Sequence, residues 1–210
     1  LKNNLGNQLA TEYECEGLIS YGQDIEQYYS KLWITLEEKT KSFLLTLVSI
    51  SFQFTKEQFI SCISSFIAPS DEISSNFKKI KHLIHDTNKL SIYHASFLDF
   101  LKKQSEWIEQ KSCILNKVKQ WLEESKYENL KWAELARLEY EAGTPNLILD
   151  IDKNWLIEAI SYPRNPSQIL SQLELASKVA LEVNNFAKAL ETSLLSVYYQ
   201  NSQESLNQLN

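Results

Sequence analysis

The chain is 210 residues long, with 43% hydrophobic and 23% charged residues, enough apolar material for a real core, so wholesale disorder is excluded. Glycine and proline number only 4 each, too few for the many tight corners of a β-sandwich or barrel, and an all-α fold is expected. Twenty-one basic against 27 acidic residues leave a net charge of −6, so bulk charge disfavours nucleic acid as a partner, and no apolar run of about 18 residues is present to span a membrane.

Cys15, Cys62 and Cys113 are odd in number and far apart. That pattern suits free thiols in a reducing, cytoplasmic setting. Leu1-Lys2-Asn3-Asn4 lacks the basic-then-apolar layout of a signal peptide. With no Met anywhere, the chain is expected to be a piece of a longer protein.

Residues 1–24 hold three of the four glycines and read as a loop or short helix entering the fold. From Asp24 the spacing turns helical, with Ile25, Tyr28, Tyr29, Leu32, Trp33 and Leu36 on one face. A second helix is expected from Lys39 to Ile50. Thr55 and Gln58 form a capping box that opens a third helix, which stops at Ala68-Pro69. The next helix is expected from Ile73 to Ile84. Asn88 to Tyr93 alternates as a strand does. Ser96 can cap the following helix, with Asp99 three residues on. Leu101, Ile108, Leu115 and Leu122 then mark a heptad seam with Val118, predicting a long helix broken near Lys111–Cys113.

Beyond Lys126 the texture changes to short helical hairpins. Trp132, Leu135, Ala136 and Leu138 form one helix, ended by Gly143-Thr144-Pro145. Trp155, Leu156, Ala159 and Ile160 form another, ended by Pro163 and Pro166. Ile169, Leu173, Ala176, Ala180 and Val183 make a longer one that Asn184-Asn185 breaks. Phe186, Leu190, Leu194 and Val197 restart the rhythm. Ala176, Ala180 and Ala187 facing one another would give a hairpin resembling a tetratricopeptide (TPR) unit.

Chemistry-bearing patterns are few. Gly17-Leu18-Ile19-Ser20-Tyr21-Gly22 has the spacing of a phosphate loop, but Gln23-Asp24 stand where Lys and Ser/Thr are needed. His82, His85 and Asp86 fall within one helical turn without a further ligand at metal-site spacing, so an ordinary helix face is the reading preferred to a metal site. No nucleophile has a local signature. Asp150 and Asp152 beside Lys153 read as a solvated turn. Catalysis within the chain is not expected. Lys78, Lys79, Lys81 and His82 form a basic cluster on the helix that a DNA-reading domain would insert into the major groove. Asp71, Glu72 and Asp86 bracket that cluster, which favours a solvated lysine face.

Two segments resemble the signal-transduction NTPases with numerous domains (STAND), in particular bacterial NACHT and NLR-like proteins. Asp24-Ile25-Glu26-Gln27-Tyr28-Tyr29-Ser30-Lys31-Leu32-Trp33 is similar to the helix that follows the NTPase core in that family. Tyr93-His94-Ala95-Ser96-Phe97-Leu98-Asp99-Phe100-Leu101 is similar to its winged-helix signature. Asp152 to Ile160 resembles later helical segments less specifically.

The resemblance implies an all-α chain in three parts. Residues 1–37 would be a linker and helix leaving an NTPase core that lies outside the chain. Residues 38–110 would be a winged-helix domain of three helices plus a short β-hairpin, and residues 111–210 a helical, TPR-like region. It implies a regulatory role in an ATP-binding signal-transduction protein, as in antiviral defence, coupling a protein ligand sensed by the helices to nucleotide-dependent homo-oligomerisation. ATP or ADP would belong to the parent protein, with no cofactor held by this chain alone. His94 is the one residue the resemblance carries over, as a donor to the nucleotide phosphate. The alternatives are a winged-helix DNA-binding transcription regulator and a helical-repeat protein-interaction scaffold.

Overall fold

Three- and four-residue apolar spacing governs nearly the whole chain, and the computed structural model is accordingly mostly helical, with one two-stranded sheet among the described residues, 25–86 and 89–208. The expected entry loop over residues 1–24, the phosphate-loop-like stretch, Cys15 and Asn88 lie outside them. The chain divides into two units, Leu1–Glu109 and Gln110–Asn210, and the division falls inside one helix.

In unit 1, α1 (residues 25–35) buries Tyr29 and Trp33, whereas Tyr28, expected on the same face, points to solvent at 51% exposure. It is followed by α2 (Glu38–Ser49), α3 (Lys56–Ser64) and α4 (Ser70–Ile80). The Thr55 capping box forms as the sequence predicts: its hydroxyl accepts from the Gln58 amide at 3.2 Å, and the Gln58 side chain accepts from the Thr55 amide at 2.9 Å. The core of these helices contains an aromatic cluster among buried aliphatic residues. Phe43 meets Phe59 and Phe77 edge-on at 4.7 and 4.6 Å, and such edge contacts add about 0.5–1.5 kcal/mol each beyond area burial.

The helix expected from Ile73 to Ile84 ends earlier. A short 3-10 turn (Lys81–Leu83) follows α4, and Ile84–Asp86 becomes strand β1, antiparallel to β2 (Leu90–Ile92) with Ile84 opposite Ile92. Helical spacing alone does not distinguish the two states over so short a run; the pairing does, because Ile84 and Leu90 both reach the core from the hairpin. The Leu90 amide also donates to the Phe54 carbonyl at 2.8 Å, tying the hairpin to the segment before α3.

Helix α5 (Ala95–Lys102) departs from expectation at its start. His94, not Ser96, takes the N-cap backbone position, and no side chain caps the helix. Ser96 lies in the first turn, and its hydroxyl shares a 3.1 Å hydrogen bond with the Tyr29 phenol. Phe97 and Phe100 are buried as their spacing predicts and enclose Tyr29 with ring centroids at 4.9 and 5.7 Å.

Helix α6 (Ser105–Glu124) runs unbroken through Lys111–Cys113; the interruption comes earlier, between Lys102 and Ser105. Leu115, Val118 and Leu122 are buried, but Ile108 is 66% exposed, so the seam is not one continuous heptad stripe.

In unit 2, α7 (Glu128–Glu141), α8 (Asn146–Leu149), α9 (Lys153–Ile160), α10 (Pro166–Glu182) and α11 (Phe186–Gln208) follow. Gly143 adopts φ +97° just after α7, a conformation that favours glycine. The sequence reading missed α8, which is a single turn. Pro166 does more than end α9: it occupies the first turn of α10 behind the Asn165 cap. Asn184, at φ 59°, separates α10 from α11 as expected. Ala176 and Ala180 are fully buried, but Ala187 is exposed and Ala189 takes its place in the seam. Phe186, Leu190, Leu194 and Val197, which restart the helical rhythm, are 56–67% exposed.

Candidate functional site

His94 stands at the corner where β2 ends and α5 begins. Its backbone is extended, and its carbonyl accepts from the Phe97 and Leu98 amides at 3.0 and 3.1 Å. The side chain is exposed, edge-on to Tyr93 with ring centroids 4.6 Å apart. Phe97 and Phe100 therefore anchor the segment from below, while His94 and Tyr93 project outward. No helix presents His82, His85 and Asp86 together, because His85 and Asp86 belong to β1 and His82 to the 3-10 turn. Among the described residues no group of three or more His, Cys, Asp or Glu is placed to hold a metal.

The basic cluster is partly engaged. Lys79 pairs with Glu37 at 2.7 Å, and that hydrogen bond, reinforced by charge, holds the Glu37 carboxyl below its ordinary range. Asp86 of the hairpin pairs with Lys56 at 2.7 Å. Burial pushes the Cys62 thiol well above its usual pKa, the state of an inert core cysteine.

A second site lies wholly within unit 2. Helices α7 to α10 and their loops line an open cavity of about 770 Å³, within the roughly 300–1,000 Å³ of small-ligand sites. Its aromatic wall is Trp132 of α7 stacked on Trp155 of α9, with centroids 5.6 Å apart and planes 12° from parallel. Both positions are set by polar contacts. Asp152 caps α9 by accepting from the Trp155 amide at 2.8 Å, so the residue read as part of a solvated turn positions an indole. The buried Gln172 side chain donates to the Trp132 and Ala133 carbonyls at 2.9 and 3.2 Å, tying α7 to α10.

The loop between α9 and α10 adds Tyr162 and Arg164. The Arg164 guanidinium lies 3.9 Å from the Trp132 ring centroid and 5.1 Å from that of Tyr162. Its Nη1 is buried without a hydrogen-bond partner. Burial lowers the guanidinium's pKa from its ordinary value, opposed by the Glu158 carboxylate and by Tyr162. Asp150 and Glu158 line the same cavity. The sequence reading missed this site because its tryptophans served as helix markers. The signal present was Arg164, one of only two arginines, held in a proline-flanked loop.

No protein-family model, no curated protein and no solved structure matches this chain. Among the described residues no helix is long and apolar enough to cross a membrane.

Proposed function

We propose that the chain is the regulatory, sensor-coupling segment of a STAND-type NTPase, with a winged-helix domain over residues 38–110 and a TPR-like region over residues 111–210. The observation that carries this reading is the element order from α2 to α5, three helices, an antiparallel hairpin and a helix, with the His-x-Ser-Phe segment at the hairpin-to-helix corner. Phe97 and Phe100 face inward there and His94 outward, the arrangement a side chain needs if it is to reach a neighbouring domain.

On this reading His94 donates to a nucleotide phosphate held by the NTPase core, so that closure of the parent protein depends on bound ATP or ADP. Release of that contact favours the open state that forms homo-oligomers. Unit 2 receives the triggering protein ligand. The outward apolar stripe of α11 supports the TPR-like assignment, since stacked hairpins need an apolar face on each side. A defence-related role follows from the same family resemblance, and the odd, widely spaced cysteines suit a cytoplasmic setting.

The test uses the parent protein. His94→Ala removes a hydrogen bond to a charged group, about 1.5–3 kcal/mol, and shifts the population toward assembly without the trigger. Sedimentation velocity with and without the trigger, together with nucleotide retention, reads this out. Unchanged trigger dependence and unchanged retention would overturn the role of His94. Salt-sensitive DNA binding by this chain would favour the transcription-regulator reading instead.

A further inference from the structure

The cavity of unit 2 is not uniform in charge. Of the ionisable groups lining it, Glu128 and Lys131 pair with each other at 3.3 Å. Asp150 and Glu158 remain, against Arg164 alone. Two carboxylates beside a stacked pair of indoles and a tyrosine favour a positive guest, because the ring faces and the carboxylates attract the same sign of charge. Arg164 shows the contact within the molecule itself, its guanidinium lying 3.9 Å from the Trp132 ring centroid. That internal cation is poorly satisfied. It sits on a five-residue connection between two helices, residues 161–165, and its Nη1 is buried without an acceptor.

We propose that this cavity binds an organic cation, a guanidinium or alkylammonium group of the kind borne by an Arg or Lys side chain or by a free small molecule, and that Arg164 occupies the site until the ligand displaces it. The guest takes the place over Trp132, between the aromatic wall and the Asp150 and Glu158 carboxylates. Arg164 then swings out to water, where its Nη1 regains hydrogen-bond partners. Because the competent state is the one with Arg164 displaced, the apparent affinity is reduced by the fraction of molecules in which the site is vacated. The site is independent of the role proposed for His94.

The experiment is isothermal titration calorimetry of the full chain with three probes: agmatine, an Ala-Ala-Arg-Ala-Ala amide peptide, and N-acetylglycine as the anionic control. Saturable binding of the cations, weakened by salt, is expected, with none for N-acetylglycine. Tighter binding of the peptide assigns the source as a protein side chain; tighter agmatine binding assigns a free small molecule. Glu158→Gln and Trp155→Ala are each expected to weaken the cation about tenfold, the scale of one charged or cation–π contact.

Arg164→Ala is expected to tighten cation binding about fivefold or more by removing the resident competitor. Arg164→Gln, which keeps a polar side chain in the loop, is expected to do the same, and circular dichroism checks that each variant is folded. Weaker cation binding in both folded Arg164 variants, preference for the anion, or no saturable binding at millimolar concentration would overturn the proposal.

Discussion

The two units differ in where they place their phenylalanines and in what surrounds their tryptophans. Unit 1 encloses its core phenylalanines: Phe43, Phe54, Phe59 and Phe97 are at most 1% exposed, Phe43 and Phe54 both meet the Phe59 ring, and Phe97 meets Tyr29 and Phe100. Unit 2 builds its core mainly from aliphatic and small residues, Leu173, Ala176, Val179 and Ala180 among them, joined by Tyr199, and leaves Trp132 and Trp155 half-buried around a cavity. Its last helix turns Phe186, Leu190 and Leu194 outward. A unit whose large side chains meet each other gains stability from them. A unit whose large side chains face a cavity or solvent holds them available for contact, since apolar surface contributes only when something covers it.

The largest test of that contrast is a matched pair of truncations. Phe97→Ala in unit 1 is expected to cost about 3–5 kcal/mol by urea denaturation, the range for a buried phenylalanine. Phe186→Ala in unit 2 is expected to change stability by less than about 0.5 kcal/mol. A small effect at Phe97, or one above about 2 kcal/mol at Phe186, would erase the distinction.

Thiol labelling reads the same enclosure without a substitution. Cys113 is exposed and Cys62 buried, so iodoacetamide followed by peptide mapping is expected to modify Cys113 in the folded chain and Cys62 only when unit 1 opens. Burial raises the Cys62 pKa, so the folded thiol stays neutral where the unfolded one ionises. Its contribution to stability is full below about pH 8.5 and is lost as pH climbs above that value. Labelling of Cys62 as fast as Cys113 under native conditions would contradict the enclosed core.

The helix caps separate the units with a smaller effect. Thr55→Ala is expected to cost about 1 kcal/mol in the transition of unit 1, and Asp152→Ala about the same in that of unit 2. Asp152→Ala is also expected to alter the Trp155 indole resonance, because the cap holds the start of α9. Equal shifts of a single shared transition by both variants would show that the units unfold as one.

The smallest effect belongs to the surface pair of Glu37 and Lys79. The lysine holds the carboxyl below its ordinary range, so the pair stabilises above the usual carboxylate pKa, about 4.3, and that contribution is lost as pH falls through the depressed folded value. The difference between Glu37→Gln and the native chain is therefore expected to be greatest near neutrality and to vanish in acid, in a pH series of thermal melts. A difference that grows in acid would reverse the sign assigned to the pair.

Much of this was legible in the residues because it depends on local chemistry. The Thr55 capping box, the burial of Phe97 and Phe100, and the break at Asn184 each need only a few neighbouring positions. Helical periodicity likewise identified the all-α class, since a 3.6-residue repeat places apolar side chains on one face whatever that face meets.

What the sequence by itself did not determine was which apolar face finds a partner and which short segment pairs. Ile84 to Asp86 leaves the helix because β2 and the Phe54 carbonyl offer the hairpin its hydrogen bonds. Ser96 gives up the cap because Tyr29, 67 residues away, supplies a hydroxyl. Ala189 displaces Ala187 from the seam, and the stripe from Phe186 to Val197 faces outward, because the rotation of α11 follows its packing on α10 and not its own repeat. The cavity joins Trp132, Trp155 and Arg164 across 32 positions of chain. Spacing records the order of side chains along an element; only the tertiary structure sets which elements meet, because that choice is made by shape and by long-range hydrogen bonds.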